Sequence, residues 1–118
     1  MDATRDADAE VRLAATTSLE AASPAMRVSA LAPLLRDRVR AVRMGAARAL
    51  SSVPAGSIPE GTRKPLERAL AEYEEAQRLS LDMPAARLNL AVVLANRGRT
   101  AEAESEYMAA LRIDPDFT

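Results

Sequence analysis

Internal repetition at two different periods restricts the fold of this chain more than any other feature. At an offset of 31 residues, Asp6, Val11, Arg12, Ala15 and Leu19 return as Asp37, Val42, Arg43, Ala46 and Leu50. Val, Ala and Leu at four-residue steps draw one apolar stripe along a helix. Each Asp stands upstream, where a carboxylate caps or opposes the positive helix end. At an offset of 34 residues, Ala69, Tyr73 and Ala76 return as Ala103, Tyr107 and Ala110. Small residues at that spacing let neighbouring helices approach, and the ring fills the gap between them. Units this short cannot bury their own stripes, so each must stack on its neighbours.

Composition agrees with helices throughout. Alanine is the commonest residue, aromatic residues make up 3% and there are only 4 glycines, a mixture that favours helix over strand. Punctuation places the breaks. Ser23 is a good N-cap and Pro24 a good first helical residue. Leu31, Leu34 and Leu35 supply the apolar face of that segment, and Pro33 predicts a kink or break within it. Pro54, Gly56, Pro59 and Gly61 mark a loop. Pro84 opens a further helix, Gly98 supplies a turn, Thr100 is the expected cap of the last helix, and Pro115 follows it.

The Asp–Val–Arg copies resemble one and a half HEAT-like repeats over residues 6–53. The small–aromatic–small spacing resembles the second helix of a tetratricopeptide repeat, with one complete unit over residues 84–117. Leu90, Ala91 and Leu94 fill first-helix slots of that family; Arg87 stands where the family often has Trp, and Leu94 where it has Tyr. The resemblance divides the chain into a HEAT-like segment over 1–53, a Pro/Gly linker over 54–63, and a tetratricopeptide-like segment over 64–118. That last segment is a lone second helix followed by one full pair. The implied fold is all-α, a right-handed α-solenoid of about six helices. The order of elements is also similar to the C-terminal repeat region of some large bacterial multihaem c-type cytochromes, which implies a docking or assembly role.

Chemistry finds little support. With no histidine and no cysteine there is no disulfide, thiol nucleophile or imidazole base, and no zinc site of the usual N/S type. Glu72, Glu74 and Glu75, and again Glu102, Glu104 and Glu106, are spaced around the polar side of helices and read as solvated faces. No nucleophile turn or phosphate loop is present, so neither catalysis nor a cofactor is expected. Arg36, Arg40 and Arg43 would share a face only if their helix ran unbroken past Asp37. Arg12 and Arg43 occupy a slot where the HEAT resemblance implies a structural ion pair or loop hydrogen bond. A net charge of −1 and the lack of interleaved aromatic residues argue against nucleic acid. No apolar run approaches the roughly 20 residues that span a bilayer.

The remaining candidate is a groove. The tetratricopeptide resemblance places Ala85, Leu88, Asn89, Val92, Ala95 and Asn96 on a concave first-helix surface, with Asn89 where family members bond a ligand backbone. Leu88, Asn89, Val92, Ala95 and Asn96 are therefore the expected contacts for a protein or peptide partner. Packing of Leu88 and Val92 on a neighbouring helix or a second chain is the rival reading. The expected function is a non-catalytic interaction scaffold. The alternative is an oligomerisation or capping region of a larger protein, self-associating through apolar faces left by a chain stopping near Phe117. The opening Met-Asp-Ala-Thr-Arg-Asp carries no signal-peptide pattern and runs straight into a repeat, as expected of a segment cut from a longer protein. Cytoplasm is the default compartment, and periplasm follows if the cytochrome resemblance holds.

Overall fold

The computed structural model describes residues 2–116; Met1 and Phe117 lie outside them. Among the described residues the chain is entirely helical, with six α-helices and no strand: α1 Ala9–Ser18, α2 Pro24–Leu31, α3 Arg40–Ser51, α4 Glu60–Arg78, α5 Pro84–Asn96 and α6 Thr100–Ile113. Short 3-10 turns punctuate the first half. Two compact units divide the chain, Met1–Glu72 and Tyr73–Thr118, and the boundary falls inside α4.

Local chemistry explains most of the boundaries. Asp8 accepts the Glu10 amide at the start of α1, and Ser23 accepts the Met26 amide ahead of Pro24 at the start of α2, each satisfying one of the orphan donors of a helix start. α2 ends at Leu31 and gives way to a 3-10 turn over Ala32–Arg36, the break that Pro33 predicts. Helix α4 begins at Glu60, inside the stretch 54–63 expected as linker. Pro65 lies inside this helix and forfeits the bond to the Gly61 carbonyl. Gly98, at φ +79°, makes the α5–α6 turn in the left-handed region that a Cβ disfavours. Thr100 is not the cap of α6: it is the first helical residue, and Arg99 takes the cap position without a side-chain bond. The Arg99 amide instead donates to the Leu94 carbonyl at 2.9 Å, closing the turn through the backbone.

In the first unit α1 and α2 both pack on α3. Val42, Ala46 and Leu50 of α3 are fully buried, and Ala15 of α1 and Leu19 just after it nearly so. The two copies differ at their first stripe position, because Val42 is 0% exposed and Val11 is 37% exposed. On α1 the buried neighbour is Arg12 instead, with Thr16 completing the face. The helices come close where α3 carries Gly45: a Cβ there would lie 2.5 Å from Thr16 Oγ1 and 3.0 Å from Leu13 Cδ1. Arg27 of α2 donates to the Ala49 carbonyl at 3.0 Å and to Ser52 Oγ at 2.7 Å, tying α2 to the end of α3. In the second unit α5 and α6 form an antiparallel pair around Leu90, Leu94 and Ala103, with Leu81 packed against them.

Candidate functional site

The charged residues resolve into a framework of ion pairs. Arg12 Nε and Nη2 donate to the two carboxylate oxygens of Asp37 at 2.8 and 3.1 Å, and its Nη1 donates to the carbonyls of Asp6 and Ala7. Arg43 repeats this arrangement. Its Nε and Nη2 grip Glu72 at 2.8 Å each, and its Nη1 donates to the Asp37 carbonyl at 2.9 Å. Arg87, in the other kind of repeat, follows suit: Nε donates to the Leu81 carbonyl at 2.7 Å and Nη1 to Glu106 at 2.9 Å. Each of these arginines thus fastens the carbonyl six residues upstream while holding a more distant acid. Bidentate pairs are the strong form of this contact. The acids also order their own loops, since Asp6 accepts the Asp8 amide and Asp37 the Val39 amide.

These contacts tune two carboxylates. Burial alone would push Asp37 up, but hydrogen bonds from Arg12 and the Val39 amide, with the charges of Arg12 and Arg38, hold it below the ordinary range. The Arg43 hydrogen bond, opposed by burial and aided by the charges of Arg43 and Arg40, holds Glu72 below it as well. Arg40 lies 3.5 Å from Glu72. Arg36 belongs to the turn before the Asp37 break, so Arg36, Arg40 and Arg43 form no common helical face.

The solvated reading of the acids needs correction at Glu74. That residue is 7% exposed and is held by Arg97 and by Arg99, the latter at 3.0 Å. Arg99 also grips Glu102 at 2.8 and 3.1 Å. Of the α6 acids, Glu102 and Glu106 are paired, whereas Glu104 makes no ion pair among the described residues. Among the described residues, no group of three or more acids is placed to hold a metal ion and no helix is long and apolar enough to cross a membrane.

An apolar groove runs between α5 and α6. It encloses about 330 Å³ and is lined by Leu88, Ala91, Val92 and Ala95 on one side and Thr100, Ala103, Glu104 and Tyr107 on the other. Three of the five contact residues expected from sequence, Leu88, Val92 and Ala95, therefore come together. The two asparagines do not join them. Asn89 turns its amide toward Gln77 at 3.5 Å, and Asn96 is exposed at the end of α5, outside the lining. The α6 wall was missed because the tyrosine slot reads as a gap-filler. In its inner copy that holds, with Tyr73 6% exposed, but Tyr107 is 43% exposed. Val92 and Met108 also present apolar surface to solvent.

A family model for HEAT repeats matches residues 1–82, a span that continues through α4. No curated protein and no solved structure gives a significant match to the chain.

Proposed function

This chain belongs to the HEAT-repeat family, and on that footing we propose that it is a non-catalytic scaffold that binds a protein partner. HEAT repeats commonly serve as protein-interaction scaffolds. The observation that carries the reading is the open apolar groove of Leu88, Val92, Ala95 and Tyr107, a surface of the kind that partners cover. The absence of catalysis is part of the proposal, supported by acids that are engaged by arginines. So are the tetratricopeptide-type character of the α5–α6 pair, supported by the 34-residue offset, and the right-handed winding. The multihaem cytochrome resemblance would give the docking role a setting in a larger bacterial protein.

The test uses Leu88→Glu and Val92→Glu with Asn89→Ala as a control outside the groove, each checked for unchanged helicity. Crosslinking from a photoreactive group at Ala95 should trap a partner that both Glu variants lose and Asn89→Ala keeps. Unchanged trapping by the Glu variants would sink the groove assignment. Self-association is the second reading, favoured by the exposed Val11 and Leu13 on α1. Light scattering separates the two, since a mass independent of concentration argues against it.

A further inference from the structure

We propose that the α5–α6 groove accepts a single amphipathic α-helix of a partner protein, one carrying a small-aliphatic stripe flanked by a basic residue that meets Glu104. This rests on the scaffold reading above and specifies the occupant. The first argument is internal precedent. Ala69 and Tyr73 on α4 are the 34-residue counterparts of Ala103 and Tyr107 on α6. The inner pair is buried, and within the second unit α5 is tied to residues 73–78, next to Tyr73, by Asn89 to Gln77 and Arg97 to Glu74. The outer slot has the same small and aromatic residues, yet Tyr107 stands open.

The second argument is backbone satisfaction. An extended peptide brings unpaired N–H and C=O groups, which need partners when buried. The groove lining offers hydrogen-bonding side chains only at Thr100, Glu104 and Tyr107, and Asn89 is turned to Gln77. A helix satisfies its own backbone, and a floor of Ala91, Ala95 and Ala103 admits it at close range. The third argument is charge. Glu102 and Glu106 have arginine partners, while Glu104, in the groove wall, has none among the described residues. Exposed to water now, it would lose hydration under an occupant, and a basic residue there would offset that loss. Where α4 has Glu74 in the inner slot, α6 has Met108, so the outer occupant meets a more apolar edge than α5 does.

The experiment uses the whole chain and fluorescence anisotropy with designed peptides of about 15 residues, long enough for a helix of several turns. One is an amphipathic helix with an Ala/Leu stripe and a flanking Lys. A second replaces that Lys with Glu, and a third carries a central Pro that prevents the helix. The Lys helix should bind about tenfold or more tighter than the other two. Tyr107→Glu should abolish binding, and Glu104→Lys, an exposed change that leaves the fold intact, should reverse the preference toward the Glu peptide. Equal binding of the Pro peptide would overturn the helical occupant while leaving the scaffold reading intact. Failure of all three peptides, with the crosslinked partner still lost in Val92→Glu, would do the same. A chain that dimerises in sedimentation and becomes monomeric in Tyr107→Glu would overturn the proposal in favour of a second copy.

Discussion

Replacing Gly45 by alanine tests the close approach of α1 and α3, because two effects of opposite sign meet there. Gly45 lies in the interior of α3, where Gly→Ala taken alone stabilises a helix by about 0.8–1 kcal/mol. The new Cβ, however, would stand 2.5 Å from Thr16 Oγ1 and 3.3 Å from Thr16 Cβ. Thr16 is β-branched, 2% exposed, and its hydroxyl donates to the Leu13 carbonyl at 2.7 Å. Rotating it away breaks that bond in a buried place at about 1–3 kcal/mol, and separating the helices costs about as much through lost packing. On central values the clash wins, and Gly45→Ala should lower stability by about 1 kcal/mol, and by at most about 2, after the propensity gain is subtracted. That corresponds to a fall in Tm of about 3–10 °C at this chain length. Denaturant unfolding followed by circular dichroism reads it directly. Thr16→Ala removes the hydroxyl, so the double variant should lose less than the sum of the two single losses. Gly61, whose added Cβ meets nothing within 4 Å, provides a neutral or stabilising control. A Gly45→Ala chain as stable as the parent or more so, or strict additivity with Thr16→Ala, would refute the packing argument.

Stability should also depend on acid through Asp37 and Glu72. Both carboxyls are held below their ordinary range in the folded chain, so their contribution is complete above the unfolded carboxylate pKa and is lost as pH falls through the lower folded value. Urea midpoints measured between pH 7 and pH 2 should fall on the acid side, and Asp37→Asn with Glu72→Gln should flatten that fall. Glu74→Ala removes the buried carboxylate that joins Arg97 and Arg99 and should cost about 1–3 kcal/mol in chemical denaturation. Gly98→Ala forces a Cβ into the left-handed turn at φ +79° and should cost about 1–2 kcal/mol, with no change in helix content at low temperature.

Much of the fold could be read from local pattern. Of the five matches at an offset of 31, the Val, Arg and Ala pairs fell on α1 and α3, with the Asp pair just ahead of them and Leu19 just past the end of α1; Ser23 and Pro24 opened α2, and Pro33 ended it, because each of these depends on neighbours within one or two turns. What escaped local reading depends on distant partners. Arg12, and not Val11, is buried on α1 because Asp37 lies across from it, 25 residues away. Glu74 is buried because Arg97 and Arg99 return to it from beyond α5. Thr100 was expected to cap α6, yet Arg99 closes the turn to Leu94 instead. Periodicity identified the tyrosine slot twice and could not say that one copy is covered and the other open. For the same reason the groove contains Leu88, Val92 and Ala95 as expected from sequence but takes its second wall from α6.

The arginines that reach back six residues divide their work between a near contact and a distant one. The carbonyl contact of Arg12, Arg43 or Arg87 spans only six residues of chain, so it is made whatever lies farther away. The acid lies farther off, 25, 29 and 19 residues along the chain, and the requirement on it is loose: Asp37 precedes a helix, whereas Glu72 and Glu106 lie within one. An acid at any of several places within reach of such an arginine would therefore complete the joint, while the short carbonyl contact fixes where the guanidinium is held.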